Sequence, residues 1–82
     1  DNFSIFPNPN TGLFNIVFDS EQNENIFIEI FSLQGVSVYK ENISGKHNTF
    51  TKQINLKSIT KGVYLIKIQS NKTSGVRKVI LN

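Results

Sequence analysis

The chain has 82 residues and a formal net charge of +3, with 38% hydrophobic and 18% charged residues. This composition predicts one globular domain with a modest core and excludes a disordered chain. It contains no cysteine, which excludes disulfides and thiolate metal sites, and no apolar run approaches the roughly 20 residues of a membrane helix, so we expect no membrane insertion. Because the chain starts at Asp1 and lacks methionine, we expect residues 1–82 to be a single domain excised from a longer protein.

The charges are distributed unevenly along the chain. Every acidic residue lies at or before Glu41, and every basic residue lies at or after Lys40. This asymmetry indicates either a basic face that meets an acidic partner or early and late strands that pair and interleave their charges.

The first elements are extended. Phe3–Phe6 predicts a short strand, and Pro7–Gly12 predicts a rigid turn because two prolines fix the backbone and Gly12 tolerates left-handed angles. The turn is interpreted either as a recognition element or as a corner between two sheets. Leu13–Phe18 alternates as a strand does. Asp19–Asn25 is wholly polar and predicts a loop, without the glycine and regular ligand spacing of a calcium loop.

The middle of the chain predicts a β-hairpin. Ile26–Phe31 and Val36–Lys40 are strands joined by a turn that ends at Gly35. Ile43–Asn48 predicts a second loop, and a strand with alternating apolar residues follows from Phe50 to Leu56. After it, we expect one tight helical turn that places Ile59 beneath the core.

The strand Lys61–Ile68 is central to the predicted fold. Gly62 opens it, Tyr64 shares a face with Ile66 and Ile68, and Lys67 lies on the opposite face. Apolar residues on both faces indicate an interior strand.

The closing strand, Val76–Leu81, contains two adjacent bases. Arg77 shares a face with Val79, and Lys78 lies on the other face. One base must therefore lie over the core side and reach solvent through its long stem.

Seven short extended runs separated by polar turns predict an all-β fold, an immunoglobulin-like antiparallel β-sandwich of about seven short strands. The Cys…Trp…Cys signature of true immunoglobulin domains is absent.

The residues for catalysis are missing from this pattern. His47 is the single histidine and lies in a predicted loop, and there is no nucleophile elbow, P-loop or dinucleotide motif. We therefore expect no enzyme activity, no cofactor and no metal site. Nucleic-acid binding is not expected, because most aromatic residues lie in the acidic half of the chain. Phe27, Phe31 and Tyr39 could line a sugar-binding face, since aromatic platforms bind sugar rings, but outward aromatic residues on a sandwich more often pack between strands.

Three segments resemble the motifs of one family in order and spacing. They are an opening motif at residues 6–12, a middle motif at residues 28–35, and a closing pair at residues 61–68 and 77–81. Phe6 stands where tyrosine is usual, and Thr60 where proline is common. The family is the C-terminal sorting domain (type A) of the type IX, or Por, secretion system of Bacteroidetes.

The resemblance implies an immunoglobulin-like fold and the role of an address label. Such a label directs an N-terminal cargo domain in the same chain through the periplasm and across the outer membrane to the cell surface or medium. The implied partners are the type IX outer-membrane translocon, its shuttle protein and a cell-surface sortase that cleaves the label. The alternative is an adhesive or carbohydrate-binding β-sandwich attached to a secreted hydrolase.

A set of residues from these motifs forms the candidate recognition site: Pro7, Asn8, Pro9, Gly12, Gly35, Gly62, Tyr64, Lys67, Arg77, Lys78 and Val79. We expect Val76–Leu81 to be an edge strand with unpaired backbone groups. Lys67, Lys72 and one base of the closing strand would form a basic patch beside that edge.

Overall fold

The computed structural model describes residues 3–70 and 74–82, with the side chains of residues 19–24 and 45–50 excepted. It contains five strands, β1 (Phe3–Phe6), β2 (Leu13–Ser32), β3 (Ser37–Asn55), β4 (Gly62–Gln69) and β5 (Ser74–Leu81). All strand pairs are antiparallel. The molecule measures 35 × 22 × 18 Å along its principal axes.

Two long strands contribute to both layers of the sandwich. β2 has 20 residues and β3 has 19, and they pair as one hairpin whose register shifts between Ser20 and Ile26. In the first layer, residues 13–20 of β2 lie between β1 and residues 48–55 of β3. In the second layer, the strand order is residues 37–43 of β3, residues 26–32 of β2, β4 and β5. When each arm is counted separately, seven antiparallel strands form two sheets, which confirms the predicted β-sandwich.

The core lies between the layers and follows the period of two of the strands. In β2, every second side chain from Phe14 to Phe18 and from Ile26 to Ile30 is buried. The remaining core side chains come from the other elements: Phe3, Ile54, Leu56, Tyr64, Ile66, Ile68, Val79 and Leu81. Burial of one face in both arms of β2 is possible because the two arms face each other across this core.

Two predicted loops are wrong. Asp19–Asn25 lies within β2 and Ile43–Asn48 lies within β3, and these polar segments pair with each other, for example Ser20 with Asn48. Each segment supplies backbone partners for the other, so strand pairing there needs no apolar side chains. The side chains of Asp19–Glu24 and of His47 lie outside the described residues. The prediction that this polar segment holds no metal ion also falls on these side chains.

The predicted hairpin turn is confirmed. Leu33–Val36 connects β2 to β3, the Gly35 amide donates to the Ser32 carbonyl at 2.9 Å, and Gly35 has a φ of 91°. Residues 56–59 form a single hydrogen-bonded turn in place of the predicted helical turn. Ile59 packs against the core from it, as predicted.

The predicted interior position of the fourth strand is also confirmed. β4 pairs with β2 on one side and with β5 on the other. Tyr64, Ile66 and Ile68 point into the core, while Lys67 faces outward and is half-buried.

Candidate recognition surface

The opening turn, Pro7–Gly12, is attached to the closing strand through Asn10. The Asn10 amide donates to the Ile80 carbonyl at 3.0 Å, and the Asn82 amide donates to the Asn10 carbonyl at 2.7 Å. The Asn10 side chain donates to the Pro7 carbonyl and accepts from the Gly12 amide, at 2.9 and 2.8 Å. Asn10 is buried, so these bonds satisfy polar groups that would otherwise be costly to remove from water.

The Asn8 side chain takes the place of a strand residue beside β5. Its Nδ2 donates to the Lys78 carbonyl at 2.9 Å, and its Oδ1 accepts from the Ile80 amide at 3.0 Å. A carboxamide has the same donor and acceptor groups as a peptide unit, which explains why asparagine fits this position.

The position of the opening turn contradicts two predictions, one about the backbone of the closing strand and one about the turn itself. The prediction of an unpaired backbone on the closing strand is wrong from Lys78 to Asn82, because Asn8 and Asn10 bond to this part of the edge. The edge position itself is confirmed, since β4 is the strand partner of β5. The interpretation of the opening turn as a corner between two sheets is also wrong, because β1 and the start of β2 are neighbours in the first layer.

Gly12 ends the opening turn where there is no room for a side chain. Its φ is +114°, and a Cβ atom there would lie 2.9 Å from the Cα of Lys57. The Gly12 carbonyl accepts from the Leu56 amide at 2.6 Å. Nearby, the Lys61 ammonium donates to the Thr11 carbonyl at 2.9 Å, so the turn is joined to the β3–β4 connection as well as to β5.

Gly62 and Tyr64 have structural roles at the start of β4. Gly62 has a φ of +151°, which disfavours a side chain, although a Cβ atom there would meet nothing within 4 Å. Tyr64 is buried, and its hydroxyl donates to the Thr60 carbonyl in the preceding turn.

The two bases of the closing strand separate as predicted. Arg77 lies on the core side, with its guanidinium carbon 4.6 Å from the centre of the Phe3 ring, and it also donates to the Val76 carbonyl. Lys78 is exposed on the outer face of the second layer. That face also carries Lys67, because Leu65 pairs with Lys78 and Lys67 pairs with Val76. Lys72 lies outside the described residues.

A polar cluster closes the opposite side of the sandwich. Lys52 on one arm of β3 forms a 2.9 Å ion pair with Glu41 on the other arm, and the Tyr39 hydroxyl donates to the same carboxylate. The hydrogen bond from Tyr39, and to a smaller extent the one from Lys52, lower the pKa of Glu41. Burial, the hydrogen bond and the charge of Glu41 raise the pKa of Tyr39 to about 12.

The charges of the early and late segments interleave in the fold. Glu29 pairs in register with Lys40 on one neighbouring strand and with Lys67 on the other. This arrangement and the Glu41–Lys52 pair bear out the interleaving interpretation for these residues.

The structure does not assemble the aromatic platform that sugar binding would need. Phe27 and Phe31 lie on the outer face of the second layer, whereas Tyr39 packs against the core. Among the described side chains, no three His, Asp or Glu residues come close enough together to hold a metal ion. The described ranges also contain no helix of the length and hydropathy that would span a membrane.

Sequence reasoning missed Asn10 and the Glu41–Lys52 pair. Asn10 belongs to the opening motif, but its partners Ile80 and Asn82 are about as far away along the chain as possible. The one local signal was its spacing before Gly12, which is typical of an asparagine that bonds the backbone two residues on.

One known family matches nearly the whole chain. The family described as the secretion system C-terminal sorting domain matches residues 4–82, nearly the entire chain. A search of curated proteins finds no match. The matched range includes both the opening turn and the closing strand, which the structure joins by hydrogen bonds.

Proposed function

Because the chain belongs to the family of C-terminal sorting domains of type IX secretion, we propose that it is the label that takes one cargo protein across the outer membrane. In this proposal, the cargo precedes Asp1 in the same polypeptide. The label folds in the periplasm and is bound by the translocon and its shuttle protein. A cell-surface sortase then cleaves near or upstream of Asp1 and releases the cargo at the surface or into the medium.

The observation that carries the proposal is the family match over residues 4–82. The structure supports it physically, because the sequence motifs that define the resemblance meet in space. Asn8 and Asn10 of the opening motif bond to Lys78 and Ile80 of the closing motif, about seventy residues away. A fold whose two ends are bonded together presents one fixed shape to a receptor, without disulfides.

A label of this kind is a substrate of the secretion machinery and has no catalytic task of its own. The polar clusters among the described residues have structural partners: Asn10 holds the opening turn, and Glu41 joins the arms of β3. To be bound by the secretion machinery, such a label also needs an exposed surface that a receptor can contact.

The direct test is a fusion of a periplasm-targeted fluorescent protein to the N-terminus of residues 1–82. We expect it to appear on the surface or in the medium of a type IX-competent bacterium and to stay in the periplasm of a translocon-deficient strain. Retention of an intact, folded fusion in the competent strain would contradict the proposal. A glycan array with residues 1–82 tests the carbohydrate-binding alternative, which predicts specific sugar binding.

A further inference from the structure

The outer face of the second layer carries an apolar strip among lysines. We call it the basic face. Its described residues include Phe27, Phe31, Val63, Leu65, Val76 and Ile80, with Lys40, Lys67, Lys78 and Glu29, and at one end the polar Asn42, Gln69 and Ser74. Phe31, Leu65 and Lys78 form one row across three strands, and Glu29, Lys67 and Val76 form the next. Side chains in such rows lie about 5 Å apart, so they present one continuous surface.

No element of the described chain covers the basic face. The apolar side chains of β2 and β4 on it are half-buried, and Val76 is 50% exposed. Contiguous outward-facing apolar side chains often mark an interaction site.

The outer face of the first layer has a different character. Its described side chains include the polar Ser4, Asn15, Thr51, Gln53 and Asn55 and the apolar Phe6, Leu13 and Val17, and none of its described residues is charged. The combination of apolar and basic side chains is therefore a property of the second layer and not of the sandwich in general.

We propose that the basic face is the surface by which the secretion machinery reads this label, and that its receptor has an apolar centre with an acidic rim. The proposal rests on the proposed function. Glu29 lies between Lys40 and Lys67 and offsets part of their charge, but with Lys78 the described face still has three lysines to one glutamate, so it attracts an acidic partner. The apolar residues between the lysines match the arrangement of protein interfaces, where a charged rim surrounds an apolar centre.

Arg77 is not part of this face. It lies over the Phe3 ring on the other side of β5, so its reversal would disturb the contact between the layers. The informative charge reversal is therefore Lys67→Glu with Lys78→Glu. A matched control for the single reversal Lys78→Glu is Lys57→Glu, because both lysines are exposed and both changes alter the net charge equally.

The experiment measures the extracellular fraction of the fluorescent fusion in a type IX-competent bacterium. We expect the Lys67→Glu/Lys78→Glu fusion to lose about tenfold or more in export and the control fusion to stay near wild type, since close charge pairs dominate such encounters. Circular dichroism and thermal melting of the purified variants check the fold. Lys67→Gln with Lys78→Gln serves if the reversal does not fold, with a smaller expected loss.

Two further variants test the chemistry of the face. Lys67→Arg with Lys78→Arg keeps both charges and should be exported like wild type. Leu65→Thr removes apolar area while keeping a strand-forming residue, and it should reduce export with little change in melting temperature.

The possible outcomes distinguish this inference from the proposed function. Retention of the wild-type fusion would overturn both. Export of wild type together with undiminished export of the folded Lys67/Lys78 variants would overturn the basic face alone. An equal loss in Lys78→Glu and in its Lys57→Glu control would do the same. Binding of residues 1–82 to anionic phospholipid vesicles, abolished by the same reversal, would replace the acidic protein with a membrane surface and overturn the proposed partner.

Discussion

On the β1/β5 side of the sandwich, backbone and carboxamide hydrogen bonds hold the opening turn against the closing strand. On the β3 side, the Tyr39–Glu41–Lys52 cluster joins the two arms of one strand. Asn10 on the first side is buried, whereas the Glu41 and Lys52 side chains are about a third exposed, at 30% and 34%. The first side therefore contains polar groups that lose their water on folding, and the second keeps much of its water.

The difference in burial between the two sides indicates that the β1/β5 side contributes more to the stability of the fold. A buried hydrogen-bonded group is costly to leave without a partner, whereas an exposed ion pair is worth little because water and salt compete with it. We therefore expect substitutions in the opening turn to unfold the chain and substitutions in the β3 cluster to be tolerated. The opening motif at residues 6–12 and the closing segment at residues 77–81 both lie on the first side.

The largest effect is expected for Asn10→Ala. This change leaves the Pro7 carbonyl and the Gly12 amide without their side-chain partners and should lower the free energy of unfolding by about 2–4 kcal/mol. Urea unfolding measures it. Asn10→Asp keeps the acceptor for Gly12 but turns a second oxygen toward the Pro7 carbonyl at a buried position, so it should also lower stability. A loss no greater than that of an exposed substitution would break the comparison of the two sides.

A second pair of variants separates the effect of a steric clash from the effect of a positive φ. Gly12→Ala should cost about 2–3 kcal/mol, because it adds a clash with Lys57 to the strain of a positive φ. Gly62→Ala should cost about 1–2 kcal/mol, since it has the strain alone. Melting temperatures of both variants give the order, and a larger loss at Gly62 would show that the described contact at Gly12 does not matter.

Asn8→Ala allows the contributions of Asn8 and Asn10 to stability to be compared within the β1/β5 side. Asn8 is exposed, so water can replace part of its hydrogen bonding, and we expect a loss of about 1 kcal/mol. Thermal unfolding of Asn8→Ala and Asn10→Ala under the same conditions should rank Asn10 above Asn8. The reverse order would place the main attachment in the Asn8 side chain.

The smallest effect is expected for Glu41→Gln, about 0.5 kcal/mol at neutral pH, as for other partly exposed pairs. Because folding lowers the pKa of Glu41, its stabilisation is present above the ordinary value of 4.5 and is lost as pH falls through the lowered value. The stability difference between wild type and Glu41→Gln should therefore shrink in acid. A difference that stays constant down to low pH would exclude this carboxylate as its source.

The sequence predicted the elements whose signals are local. Alternation located β4 and its buried face, and Gly35 marked the hairpin turn, because side-chain period and positive φ are properties of short segments. The same reasoning placed Arg77 and Lys78 on opposite faces of β5. In each case, neighbours along the chain determine the outcome.

The features that the sequence did not predict depend on partners far along the chain. Asp19–Asn25 and Ile43–Asn48 contain polar residues typical of loops, yet they form strands because each faces the other across the long hairpin. The bonds of Asn8 and Asn10 to β5 depend on how the two layers meet. The basic face likewise required the register of β4 with β2 and β5, which places Lys67 and Lys78 on neighbouring strands.

Amide hydrogen exchange shows whether the opening turn and the closing strand form one structural unit. The Ile80 and Asn82 amides donate to Asn8 and Asn10, whereas the Val76 amide lies further along the same edge, beyond the opening turn. We predict slow exchange at Ile80 and Asn82 in the wild-type chain, and faster exchange at Ile80 in Asn8→Ala. Exchange at Ile80 and Asn82 as fast as at Val76 would contradict the existence of this unit.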